Sequence, residues 1–182
     1  MDTASAAPSG SSTAFAFKAV SFEQNKTYQA GLLEAPDLWL WEALVSPVMK
    51  SYPFSIEGLA SVARPARLAV RLQGGSDFAA DPDHHVRLSV NGAPVGEASF
   101  DGKLPHTIEV EVAPGLLVEG ANTLEIENVG DTAAAYSLVL LDRFSLSYPR
   151  VLAAVGGVFE GEVGEAGTGV VEVSGLAPGS MV

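Results

Sequence analysis

Polar and apolar residues alternate along most of the chain between residues 14 and 150. In the segment 66–73, Leu68, Val70 and Leu72 fall on one side of an extended chain, and arginine and glutamine fall on the other. The same period of two indicates strands with one buried face at 86–90, 107–112 and 123–127. Further strands are indicated at 14–23, 53–57, 95–100 and 137–148. The pattern therefore predicts about eight strands.

Turn signals separate these strands, and helical periodicity is missing. Asn91-Gly92 between two strand segments is typical of a tight hairpin. The segment 41–50 is the best helical candidate, and it has room for one turn before Pro47. Strands at this spacing predict an all-β protein, an antiparallel β-sandwich in jelly-roll or Greek-key order.

The composition of the chain divides it into three parts. Residues 1–13 are small and polar, which indicates a flexible lead-in, and residues 14–150 contain the strands of the sandwich. We expect Tyr148-Pro149 to end the last long strand, because proline cannot donate to a β-ladder. Residues 151–182 are rich in glycine and valine, with short strand candidates at 157–163 and 169–174. This third part is expected to be a β-hairpin or linker that leads towards a further domain.

Net charge and motif content exclude several functions. The chain has 22 acidic and 10 basic residues and a formal net charge of −12, which disfavours binding to nucleic acid or to an anionic membrane surface. Residues 1–13 lack the basic and apolar regions of a signal peptide. Cysteine is absent, and no catalytic motif occurs. These observations predict that the chain itself is not an enzyme.

One loop is rich in potential metal ligands. Asp77, Asp81 and Asp83 lie in the segment SDFAADPDHH, where His84 and His85 follow. Clustered carboxylates suit calcium, whereas histidine together with aspartate would suit zinc. The spacing matches no EF-hand loop, so a solvated loop without metal is the competing interpretation. If the loop binds a metal, the sequence favours calcium over zinc, with Asp77, Asp81 and Asp83 as the ligands.

Two tryptophans suggest a binding surface. Trp39 and Trp41 lie two residues apart, so an extended chain would place both rings on the same side. Paired rings of this kind can stack on sugars, but tryptophan is also often buried in a core. Trp39 and Trp41 are therefore candidate ligand-binding residues, with a role at the end of the sandwich as the alternative.

Several short segments together resemble a known family. They are PDLWLW at 36–41, VNGAPVG at 90–96, FDG at 100–102, LLVEGANTL at 116–124, LDRF at 141–144 and YPR at 148–150. As a set they resemble the β-rich region that precedes the catalytic domain in gingipain-like cysteine peptidases. The LLVEGANTL segment is also similar to galactose-binding-like jelly rolls, including sugar-binding domains of family 2 glycosidases.

This resemblance implies a non-catalytic accessory module of a larger secreted bacterial protein, with a neighbouring catalytic domain of the same chain as its partner. The peptidase family cleaves with a Cys–His dyad in an α/β domain, and this chain has neither, so no catalytic residue carries over. The alternative function is a carbohydrate-binding module that uses Trp39 and Trp41. A hydrolase that uses His84, His85 or His106 as its base is a third hypothesis.

Overall fold

The structure, a computed structural model, describes residues 14–31, 37–162 and 171–176. Within these ranges the chain forms eleven β-strands and no helix, so no described segment provides an apolar helix of bilayer-spanning length. The strands are β1 (Ala16–Glu23), β2 (Thr27–Tyr28), β3 (Trp39–Leu40), β4 (Glu42–Val45), β5 (Val48–Ile56), β6 (Ala66–Gly74), β7 (His84–Val90), β8 (Ala93–Phe100), β9 (Pro105–Val112), β10 (Gly120–Asn128) and β11 (Leu138–Arg150).

Two antiparallel sheets form the sandwich. The five-stranded sheet has the order β1-β11-β6-β9, and β4 also pairs with β11. The second half of β11 pairs with β1 and the first half with β4, so these two strands share one side of β11. The four-stranded sheet has the order β5-β10-β7-β8, and β2 and β3 form a separate two-stranded hairpin. The all-β sandwich expected from the sequence is confirmed.

The core lies between the facing surfaces of the two sheets, where the apolar side of each alternating strand is buried. From the five-stranded sheet come Leu68, Val70 and Leu72, and from the four-stranded sheet come Leu88 and Ile126. Each of these side chains is at most 2% exposed. Fully burying such a side chain contributes about 1.5–3 kcal/mol, which explains why a period of two is sufficient to specify the sheets.

The predicted hairpin at Asn91-Gly92 joins β7 to β8. Both residues have positive φ, 51° for Asn91 and 80° for Gly92. That combination belongs to a type I′ turn, whose twist matches the twist of the flanking strands, and asparagine and glycine adopt it at the lowest cost. The Asn91 amide also donates to the Leu116 carbonyl at 2.8 Å, which ties this turn to the loop before β10.

The helical turn expected within residues 41–50 is wrong. The segment forms β4, a bend at Ser46-Pro47 and the start of β5. β5 lies at the edge of the four-stranded sheet and tolerates Pro53 for that reason. The apolar residues of this segment are shared between two strands with different partners, so neither a period of two nor a helical period is visible in it.

The last long strand continues past Tyr148-Pro149 to Arg150, contrary to the expectation. Pairing between β11 and β6 ends at Ser147, so Pro149 has no ladder partner on that side. Its carbonyl instead accepts the Ala60 N–H at 2.9 Å. The missing N–H of proline is harmless at such a position.

The described residues beyond β11 contact the sandwich through isolated pairs. Glu162 and Phe17 exchange two backbone hydrogen bonds of 2.7 Å, and the Val151 N–H donates to the Gly58 carbonyl at 2.8 Å. Within the extension itself, Ala153 forms a parallel bridge with Ser174. The two strand candidates at 157–163 and 169–174 do not pair with each other within the described residues. Residues 1–13 and 163–170, which the sequence assigned to the lead-in and to part of the hairpin, lie outside the described residues.

Candidate functional site

The structure separates the two tryptophans that the sequence placed together. Trp41 is 7% exposed, and its ring lies 5.8 Å from Phe144 in a stacked arrangement and 5.2 Å from Tyr52. Trp39 is 46% exposed. The chain bends at Trp41 between β3 and β4, so the alternation of an extended strand does not apply there. The expected shared face is therefore wrong, and Trp39 alone keeps a surface position.

Trp39 has a different aromatic partner, which the sequence analysis missed. Tyr28 lies opposite Trp39 in the β2–β3 hairpin, is 54% exposed, and its ring centroid is 5.0 Å from that of Trp39. Each strand of this hairpin has only two residues, which is too short for a period of two to be recognised. The two rings form the aromatic pair, the name used below for Tyr28 and Trp39.

The predicted calcium loop holds its aspartates in different environments. Asp83 is fully buried, and its carboxylate accepts the N–H groups of Phe78 and Gly102 at 3.1–3.2 Å. Asp77 and Asp81 are exposed, and Asp101 joins them from the loop after β8. Desolvation and the negative charges of Asp83, Asp81 and Asp77 raise the pKa of Asp101. These four residues are called the loop cluster. Within the described chain they do not form a group whose ligand atoms all lie within 4.8 Å of one another.

A second group of carboxylates does meet that geometry. Glu23 at the end of β1, Asp37 just before β3 and Asp142 in β11 each place one oxygen within 4.8 Å of the other two. We call them the edge cluster. No sequence motif could have revealed it, because its members lie 14 and 105 residues apart and meet only in the tertiary structure, where β1 pairs with β11 and Asp37 approaches them from the residues before β3.

Asp142 is the unusual member of the edge cluster. It lies where the β11–β6 register shifts between Leu141 and Arg143, and it is 4% exposed. Its Oδ2 is 3.0 Å from Arg71 Nε, whereas its Oδ1 is buried and has no hydrogen-bond partner. Burial raises the pKa of Asp142 despite the opposing effects of Arg143 and Arg71, and the charges of Glu23 and Asp37 add to the rise.

A histidine and a serine form a hydrogen-bonded pair inside the protein. His84 Nδ1 lies 2.8 Å from Ser137 Oγ, a distance suited to a base and a nucleophile. Both residues are at most 1% exposed, however, and His84 Nε2 donates to the Gly102 carbonyl at 3.2 Å rather than to a carboxylate. Ser137 Oγ–H therefore donates to Nδ1 of a neutral ring, and burial lowers the pKa of His84. The pair is closed to substrate and binds two loops together.

The other two histidines are also engaged. His85 contacts two carboxylates, with Nδ1 2.7 Å from Asp131 and Nε2 3.4 Å from Glu97. The His106 ring stacks on Phe100 at 4.4 Å, and burial lowers its pKa. None of the three imidazoles faces a serine or threonine hydroxyl in an open cleft of the described structure.

A cavity of about 450 Å³ lies elsewhere, between the loops that follow β5 and β9. Leu59, Val62 and Leu117 contribute to its apolar floor. Glu119 fixes one wall, because its carboxylate accepts the N–H groups of Gly58 and Leu59 at 2.9 and 2.8 Å. None of the residues predicted as ligand or metal sites lines this cavity.

These features define a β-sandwich of the jelly-roll class that carries an exposed aromatic hairpin and two acidic clusters. Comparison with solved structures finds the dimeric latent PorU from Porphyromonas gingivalis, with a TM-score of 0.64 and 13% identity. The match covers 87% of this chain and 15% of the PorU chain, so this chain spans about one seventh of that protein.

Carbohydrate-binding modules also match, more distantly. One is a CBM36 module solved with calcium and xylotriose, at TM-score 0.44 and 18% identity, covering 71% of this chain and 98% of the module. Another is the CBM36-1 domain of a multidomain xylanase from the hindgut metagenome of Trinervitermes trinervoides, at 0.45 and 16%, with coverages of 71% and 95%. The suspected resemblance to a gingipain-like protein is confirmed as a likeness of fold. No family model matches, and no curated protein matches.

Proposed function

We propose that this chain is a non-catalytic accessory module of a larger exported bacterial protein. The observation that carries the proposal is that the histidine and serine side chains best suited to catalysis are already engaged in contacts that hold loops together. His84 and Ser137 are buried against each other, and His85 is shared by two carboxylates. The extracellular location rests on the resemblance to gingipain-like proteins.

The proposed partner is a neighbouring catalytic domain of the same protein. The described residues beyond Arg150 expose several valines to water, and this exposure of apolar surface is unfavourable unless another surface covers it. They are Val151, Val155, Val158 and Val171. The division of the chain at Arg150 belongs to this proposal, with residues 151–182 connecting the sandwich to that domain.

The test combines an activity assay with a binding assay. The purified chain should hydrolyse neither peptides nor glycosides, and it should bind the catalytic domain of its own parent protein. Replacing both Val155 and Val158 with aspartate should weaken that binding at least tenfold. The matched control is Val45→Asp, an equally exposed valine on β4. Turnover that copurifies with the chain, or binding that tolerates the double substitution, would overturn the proposal.

Carbohydrate binding is the second candidate, and the aromatic pair favours it. Two exposed rings with a centroid separation of 5.0 Å provide an apolar surface on which a sugar ring can stack. The residues differ from those expected, because Tyr28 takes the place of the buried Trp41. For the calcium that would support such a module, we propose the edge cluster in place of Asp77, Asp81 and Asp83.

A glycan titration followed by tryptophan fluorescence tests this candidate. Binding should shift the emission, and Tyr28→Ala should weaken the affinity at least tenfold. Tyr136→Ala is the control, because Tyr136 is similarly exposed and packs edge-on against Phe78 away from the hairpin. If no glycan shifts the emission, or if Tyr28→Ala binds like wild type, the aromatic pair is not a sugar-binding surface.

A further inference from the structure

The edge cluster has the dimensions of a calcium site. Calcium–oxygen bonds of about 2.3–2.6 Å place ligands on opposite sides of the ion roughly 4.6–5.2 Å apart. The three oxygens of Glu23, Asp37 and Asp142 lie within 4.8 Å of one another, close enough to share one calcium ion.

An independent observation that points to a cation is the unsatisfied oxygen of Asp142. Its Oδ1 is buried and accepts no hydrogen bond, which is costly for a carboxylate out of water. Arg143 NH1 is 4.0 Å from that oxygen and 3.6 Å from Glu23 Oε2. Both distances exceed those of a charge-assisted hydrogen bond, so the lone pairs stay available.

The local charge balance also favours a cation. Two arginines, Arg71 and Arg143, lie beside three carboxylates, which leaves one net negative charge. Arg71 is held by Asp142 Oδ2 at 3.0 Å and need not move when an ion binds. Arg143, which is partly exposed, can turn towards solvent.

Asp37 belongs to the edge cluster and to the hairpin at the same time. Its Oδ1 accepts the backbone N–H of Trp39 at 3.0 Å, directly beneath the aromatic pair. The hairpin needs such attachments, because each strand has two residues and a pair this short is marginal alone. Among the described residues, its links to the five-stranded sheet include the contact of Leu40 with Leu140 and the bond from Trp41 N–H to the Leu141 carbonyl at 2.8 Å.

We infer that a calcium ion held by Glu23, Asp37 and Asp142 fastens the β2–β3 hairpin to the five-stranded sheet and so sets the position of the aromatic pair. This inference depends on the proposed carbohydrate binding in one respect only, because sugar binding is the role proposed for the aromatic pair. Occupancy of the site and order of the hairpin are linked through one side chain, Asp37. Calcium and a ligand of the aromatic pair should therefore raise each other's affinity.

The experiment uses the full chain and calcium alone. Calorimetry should show one calcium bound per chain, and Asp142→Asn should weaken binding at least tenfold. Hydrogen exchange gives the second readout, at the amides of Lys26 and Gln29, which donate to Leu40 and Leu38 within the hairpin. Calcium should slow their exchange at least tenfold and leave β6 unchanged.

The outcomes separate the possible failures. If calorimetry detects no uptake at millimolar calcium, the cation site is overturned. If calcium binds but hydrogen exchange in the hairpin does not slow, the link to the aromatic pair is overturned. Calcium would then stabilise the sandwich without fixing the hairpin. A glycan that binds equally with calcium or chelator would leave carbohydrate binding intact while contradicting the linkage. Asp142→Asn keeps the volume of the side chain, and near-ultraviolet circular dichroism verifies that it folds.

Discussion

The loop cluster and the edge cluster contain similar carboxylates but use their lone pairs differently. In the loop cluster the buried carboxylate of Asp83 accepts hydrogen bonds from the backbone N–H groups of Phe78 and Gly102, so backbone donors already satisfy its oxygens. In the edge cluster the buried Asp142 keeps one oxygen without a donor. The comparison teaches that the density of aspartates along the sequence does not measure how many carboxylate lone pairs stay free for a metal, because backbone donors can satisfy them.

Replacing Asp83 with alanine should produce the largest effect. The change leaves the N–H groups of Phe78 and Gly102 without an acceptor in a buried loop and should cost about 2–4 kcal/mol of unfolding free energy. Urea denaturation measures it, and Asp83→Asn, which keeps one oxygen, should cost less. The loss should be the same in calcium and in chelator. A calcium-dependent loss would mean that Asp83 is a metal ligand after all.

Asp142→Asn should give the opposite pattern. In chelator we expect a change below about 1 kcal/mol, since the substitution removes a buried charge together with the ion pair that this charge forms with the partly exposed Arg71. Calcium binding should stabilise the folded wild type by about 2.7 kcal/mol when the free calcium concentration is a hundred times the dissociation constant. The variant should not gain this stability. Thermal melting at several calcium concentrations measures the difference. Parallel melting curves for the two proteins would contradict the site.

The sequence predicted the core of this molecule well and its edges poorly. Strands such as β6 and β7 were predicted because each buries one face along its whole length, and a period of two records that burial. The hairpin with Trp39 and the site at Asp142 were not. One depends on strands of two residues, and the other on oxygens brought together by tertiary pairing. Neither leaves a periodic signal in the sequence.

Two histidines, His84 and His106, make the stability of the folded protein depend on pH. Burial lowers the folded-state pKa of His84 and of His106, so the folded protein favours the neutral rings. The stabilisation is present above the ordinary histidine pKa of about 6.5 and is lost as the pH falls through that value towards the lowered one. The melting temperature of the wild type should fall between pH 7.5 and 5.5.

His84→Gln provides the control for this pH dependence. Glutamine can still bond to Ser137 and Gly102, but it does not titrate, so the pH dependence of the variant should be flatter than that of the wild type. Carboxylates contribute equally to both proteins and cancel in the difference. Identical slopes would show that His84 is not the group that responds.

The smallest effect is expected when Asp77 and Asp81 are both replaced with asparagine. Both side chains are exposed, so the stability should change by no more than about 0.5 kcal/mol, and calcium binding should match that of the wild type. One property should respond, because the negative charges of Asp81 and Asp77 help to raise the pKa of Asp101. Removing them should bring that pKa closer to its ordinary value, which a carbon-13 titration of the Asp101 carboxyl measures. If the double variant instead lost calcium, the loop cluster would be the metal site, and the argument from unsatisfied oxygens would fail.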